Sequence, residues 1–186
     1  MARTRTLTDE QILERVGTAL SNSGATWTLA GAAADAGLHP ATLIKRFGSR
    51  HALLVALSRR WIDGIPRAPV TDDAHQELLA WAESLSPGDA TVGQVLARVD
   101  MLIEDLRDPE LRALLDQGWQ RHLRYLAELV DRSRRAGRIS SALPPETIAH
   151  LLLDLAHGSL LRAAVSIDPS EADPGDAVRT LLLAME

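Results

Sequence analysis

Cysteine is missing from this 186-residue chain altogether. Its absence excludes disulfides and thiolate metal sites, and it permits a reducing compartment without requiring one. Aromatic residues are almost as scarce, at 3% of the sequence, with a single Phe47 and a single Tyr125 beside four tryptophans. No apolar run approaches the roughly 20 residues that span a bilayer, and residues 1–20 lack the apolar centre of a signal peptide. A cytoplasmic protein without a membrane partner is the expectation. Also missing are a phosphate-cradling glycine loop, a zinc-protease pair of histidines and any recognisable nucleophile motif. An enzyme is therefore not expected, and no cofactor is implied.

The net charge of −5 argues by itself against a nucleic-acid partner, but the average hides an asymmetry. Residues 1–60 hold eight Lys or Arg against four acids, which gives +4, and residues 61–186 hold the other 12 basic and 21 acidic groups, which gives −9. A basic N-terminal third on an acidic body fits a head that approaches DNA while the body is repelled from it.

What is present begins with a pair of short helices between Thr28 and Leu54. Thr28 can cap the first, Gly37 can take the left-handed conformation that ends it, and Pro40 fits the first turn of the second. Leu43 and Phe47, four apart, face inward, while Thr42, Lys45 and Arg46 are offered outward. This is the layout of a helix-turn-helix, whose second helix enters the major groove. A preceding helix starts at a capping box of Thr8 and Gln11, with Ile12, Leu13, Val16, Ala19 and Leu20 as its buried stripe, and it ends near Ser23 and Gly24. Ahead of it, Arg3 and Arg5 form a short basic arm of the kind that can reach a minor groove.

The run Thr28, Leu29, Ala32, Ala33, Ala36, Gly37, Leu38, Thr42, Leu43, Phe47, Ser49, Arg50, with Ala52, Leu53 and Leu54 behind, resembles the N-terminal DNA-binding domain of TetR-family transcriptional regulators. The likeness covers about residues 8–55. His39 stands where the family usually has Ser or Thr as cap of the recognition helix, and Ile44 stands where it often has a phosphate-touching Tyr. The resemblance implies a DNA-contacting set of Thr28, His39, Pro40, Ala41, Thr42, Lys45, Arg46 and Arg50. Within it, Lys45 is the expected base reader, Pro40 and Ala41 approach thymine methyls, and Thr42, Arg46 and Arg50 hold phosphates.

From Asp72 onward every segment reads as helix and none alternates as a strand would. The fold class expected is all-α: a three-helix head in residues 1–55, followed after a linker near Gly64 to Pro69 by a helical bundle in residues 56–186. One body helix ends at Ser86, Pro87 and Gly88, and a long one opens at Asp108 and Pro109 and closes at Gly137. The penultimate helix, from Pro144 and Pro145 to about Ile167, is apolar on two sides and must be covered twice. In TetR-like proteins the last two helices pair into a four-helix interface between two copies. That implies a homodimer, with Leu152, Leu155, Ala156, Ser159, Leu160, Ala163, Val178, Leu181 and Leu182 as candidate interface residues.

The resemblance also implies an effector pocket in the body, with Trp81, Met101, Gln117, Trp119, His122 and Tyr125 as candidates. Because aromatics are few, the wall is expected to be mainly aliphatic and the effector an apolar small molecule. Together these features predict a ligand-released repressor, a homodimer on a palindromic double-stranded operator. Two alternatives stay open. One is a helical interaction module that reads no sequence. The other is a metal-binding bundle built on Glu146, His150, Asp154 and His157, which fall on one helix face.

Overall fold

The computed structural model describes residues 7–22, 27–86, 91–166, 168 and 172–186. The Arg3 and Arg5 arm, the helix end at Ser23 and Gly24, the break at Pro87 and Gly88, and Ile167 lie outside them. Among the described residues there are nine α-helices and no strand. They are α1 (Asp9–Asn22), α2 (Leu29–Asp35), α3 (Pro40–Phe47), α4 (Arg50–Gly64), α5 (Ala74–Ser84), α6 (Val92–Arg107), α7 (Pro109–Arg135), α8 (Pro145–Val165) and α9 (Pro174–Leu183).

The helix starts follow from local hydrogen bonding. Side chains of Thr28, Ser49, Asp73, Thr91, Asp108 and Asp173 each accept a backbone N–H in the first turn they cap, satisfying donors that have no intrahelical partner. Thr8 and Gln11 exchange the expected pair of bonds at 3.0 and 3.2 Å. Gly37, Gly48 and Gly137 sit at φ of 68°, 88° and 70°, a region that costs a side chain and so favours glycine at these helix ends.

Two main cores result. The head core gathers Ile12, Val16, Ala33, Leu43, Leu53 and Leu54, and Leu111 of α7 is buried within it. The body core is built on Leu78, Leu126, Leu129, Ile148, Leu152, Val178 and Leu182, with α7, α8, α5 and α9 packed together. The segment between α4 and α5 is not a loose linker. Ile65 is buried, and the Glu77 carboxylate accepts from Val70 N, Thr71 N and Thr71 Oγ1 at 2.8–3.1 Å.

α8 differs from the expectation in two ways. Its 21 residues and mean hydropathy of 1.3 are enough, by length and composition alone, for a membrane span; yet Ile148, Ala149, Leu152, Leu153, Ala156, Ser159 and Ala163 are buried against the chain itself. The same burial divides the candidate interface residues. Leu152, Ala156, Ser159 and Ala163 of α8, and Val178 and Leu182 of α9, are spent on the chain's own core, and Leu155, Leu160 and Leu181 are only half-buried. The outward face of α8 carries Leu151, Gly158, Leu161 and Val165.

Candidate nucleic-acid interface and adjoining cavity

α3 presents its candidate residues on one exposed side. Leu43 is 1% exposed and anchors the helix to the head core, while Ala41, Ile44, Lys45 and Arg46 face outward and Pro40 and Thr42 are half-buried. His39 does the work expected of Ser or Thr: its Nδ1 accepts the Ala41 N–H at 3.2 Å. Thr28 is likewise used as a cap, accepting from Gly31 N at 3.0 Å.

The four basic side chains near this face are not equivalent. Among the described residues Lys45 has no ion pair or hydrogen bond, so its ammonium is available. Arg46 is tied down: it donates to Leu7 O at 3.0 Å and pairs with Asp9 at 2.6 Å. Arg50 opens α4, pairs with both carboxylate oxygens of Glu104 on α6, and lies over the Trp27 ring at 4.0 Å from its centroid. His51 follows, with Nε2 3.2 Å from Asp108, the cap of α7. Backbone N–H bonds from Leu111 and Glu110, with His51 beside them, hold the Asp108 carboxyl below the usual range.

Behind α4 lies an open cavity of about 1020 Å³, walled by α1, α4, α5, α6 and α7. Trp81, Met101, His122 and Tyr125 line it, as expected from sequence; Gln117 and Trp119 do not. Gln117 is on the exposed side of α7, and Trp119 packs against His157 with ring centroids 4.9 Å apart and planes inclined by 53°. Trp61, Glu77 and Asp105 line the cavity and were missed. Each sits on a different helix, and no local pattern brings them together. Leu13, Leu20, Leu54, Leu57, Ile65 and Ala80 give the wall an aliphatic part, and two of the four tryptophans and the single tyrosine join them there.

The polar groups of this wall are strongly perturbed. Tyr125 donates to Glu77 at 2.6 Å. Burial pushes the Glu77 carboxyl upward, but the bonds from Tyr125, Val70 and Thr71 outweigh it and hold the group below its ordinary range. Burial and then the Glu77 bond push the Tyr125 hydroxyl upward. Burial, followed by Glu104 and Asp108, raises Asp105 to about 6. Burial, followed by His157, lowers His122 to about 4, so the imidazole is neutral near pH 7. Its ring sits between Trp61 and Trp81, at 6.0 and 6.4 Å between centroids.

Among the described residues no group of three or more metal-capable side chains comes together. Glu146, His150 and Asp154 lie exposed along α8, while His157 turns toward Trp119.

No family model matches the sequence, and no curated protein matches it either. Solved structures do. A TetR transcription regulator from Haloarcula marismortui superposes with a TM-score of 0.70 at 20% identity, over 95% of this chain and 96% of that one. A TetR-family transcriptional regulator from a Rhodococcus species gives 0.66 at 19%, over 96% and 100%. A transcriptional regulator from Saccharomonospora viridis, solved in complex with choline, gives 0.64 at 17%, over 94% and 93%.

Proposed function

From a fold shared with TetR-family transcriptional regulators, we propose that this chain is a DNA-binding regulator and not an enzyme. It acts in the cytoplasm as a homodimeric repressor on a near-palindromic operator, and it lets go when a small molecule fills the cavity behind α4. The observation that carries the reading is the exposed side of α3, where Lys45, without an ion pair or hydrogen bond among the described residues, stands beside Ala41 and Ile44 on a helix anchored by Leu43. Lys45 reads a base edge, Pro40 and Ala41 meet thymine methyls, and Thr42 and Arg50 hold phosphates with the capped turns at Thr28 and His39. Arg46, already committed to Asp9 and Leu7, contributes charge near the backbone and a rigid α1–α3 corner.

Two copies meet through the outward side of α8 with α9. Leu151, Leu161, Val165 and Leu183 are 44%, 50%, 83% and 53% exposed in the single chain, and Gly158 between them allows close approach. Pairing puts one recognition helix into each of two grooves about one turn apart, roughly 34 to 36 Å. Release follows from the position of the cavity. Its wall includes Leu54, Leu57, Trp61 and Gly64 of α4, the helix whose first residue is Arg50. A ligand that displaces α4 changes the separation of the heads.

The test is selection of bound fragments from a random DNA library by the purified chain, without ligand, followed by sequencing. An enriched palindrome is the expected result. No enrichment by protein shown to be folded would overturn the reading in favour of an interaction module that reads no sequence.

A further inference from the structure

The charge on the cavity wall is one-sided. Five charged side chains line it, four of them acids: Glu10, Asp63, Glu77 and Asp105 against Arg60 alone. Arg60 is already paired with Glu10, so among the described residues the cavity wall offers an anion no unpaired Lys or Arg. Glu77 is fixed by Tyr125, Val70 and Thr71. Asp105 is different: half-buried on α6, it has no hydrogen bond or ion pair among the described residues. The same wall carries Trp61 and Trp81, both against His122, and Tyr125, which is bonded to Glu77. A ring face attracts a positive charge through its quadrupole, and a carboxylate in a partly desolvated wall does so through its charge. Aromatic faces combined with an unpaired acid suit a cation whose charge is spread over carbon, because such a cation gives up little hydration on entry.

We propose that the cavity takes an organic cation, an ammonium or similarly delocalised positive group carried on an apolar body, with Asp105 as its counter-ion and Trp61 and Trp81 as its aromatic walls. This rests on the reading of the cavity as the effector site and names the chemical class that site accepts. The volume of about 1020 Å³ is at the upper end of small-molecule pockets, enough for a drug-sized body and not just the charged head. The assignment also accounts for an acid without a hydrogen bond or ion pair among the described residues: burial, and after it Glu104 and Asp108, opposes the ionisation of Asp105, and a bound cation would offset that.

The test uses benzyltrimethylammonium and its uncharged isostere 2,2-dimethylpropylbenzene, titrated calorimetrically and by thermal shift against the intact chain. The charged compound is expected to bind at least about tenfold more tightly than the neutral one. Asp105→Asn should abolish most of that preference while leaving the weak binding of the neutral isostere unchanged, and Asp105→Glu should retain it. Equal binding of the two compounds, binding of neither, or a preference that survives Asp105→Asn would overturn the proposal. These titrations contain no DNA, whereas the regulator reading fails by a ligand-free selection without an enriched operator, so each can fail without the other.

Discussion

The guanidinium of Arg50 is clasped by both carboxylate oxygens of Glu104, the second contact measuring 2.7 Å. Arg50 is the first residue of α4 and Glu104 lies on α6, so the pair joins the head to the body beside the cavity. Trp27 closes the other side of the guanidinium at 4.0 Å. If Arg50 holds a phosphate, Glu104 competes with DNA for it. A partly exposed pair of this kind is worth up to about 1 kcal/mol. Glu104→Gln is therefore expected to tighten DNA binding by about two- to fivefold, read by fluorescence anisotropy at fixed salt. The gain should vanish in the double variant with Arg50→Ala; a gain that persists would assign it to the loss of negative charge in general.

Lys45 and Arg50 separate by role. Lys45→Ala is expected to cost about 1–3 kcal/mol on the best site and to relax preference at one base position. Arg50→Ala should weaken all sequences alike and reduce the magnitude of the slope of log K against log salt by about one unit. Competition binding across a panel of single-base operator variants checks both, and a uniform loss for Lys45→Ala would remove it from base reading.

The two sides of α8 are expected to fail in different ways. Leu161→Asp on the outward side should leave the chain folded and shift it from dimer to monomer in sedimentation velocity. Leu152→Ala, at a position fully buried in the chain's own core, should instead cost about 2–5 kcal/mol in denaturant unfolding. If Leu161→Asp leaves the dimer intact, the pairing face is elsewhere.

Asp105 and His122 face one cavity and titrate in opposite senses. With its carboxyl raised from 3.8 to about 6, folded Asp105 holds a proton that the unfolded chain releases between about pH 4 and 6. Ionising it costs stability above pH 6, and the cost fades as pH falls. With its imidazole lowered from 6.5 to about 4, His122 takes up a proton more readily when unfolded, so its contribution to stability is lost as pH falls through that window. Glu10 on α1, Arg60 and Asp63 on α4, Glu77 on α5 and Tyr125 on α7 share the wall, with Glu104 and Asp108 beside Asp105 and His157 beside His122. Thermal melts should therefore show Asp105→Asn raising Tm at pH 8 and leaving it unchanged near pH 4. An equal rise at both pH values would contradict the assigned cause.

Much of the fold was legible because it rests on interactions within a few residues. The caps at Thr8, Thr28 and Asp108, and the turns at Gly37 and Gly137, are local bonds and local conformations, readable wherever the residue types stand in order. The phase of α8 was not legible. Leu151, Leu152 and Leu153 are consecutive, so apolar periodicity selects no face, and only packing against α7 and α9 decides that Leu152 turns inward. The cavity was half legible: Trp81, Met101, His122 and Tyr125 were found as polar-tipped or large residues in an aliphatic body. Trp61, Glu77 and Asp105 escaped because their meeting depends on how α4, α5 and α6 are arranged around α7. The fate of Arg46 and Arg50 was hidden for the same reason, since Asp9 and Glu104 are distant in sequence.

Two copies of α3 reading two half-sites at a fixed spacing make affinity depend on that spacing. The most direct measurement is the equilibrium affinity of the wild-type chain for its enriched operator and for the same operator with 5 bp inserted at the centre, about half a helical turn. The insertion puts the second half-site on the opposite side of the duplex. A loss of about a hundredfold or more is expected, because only one recognition helix can then be seated. Equal affinity for the two duplexes would contradict the claim.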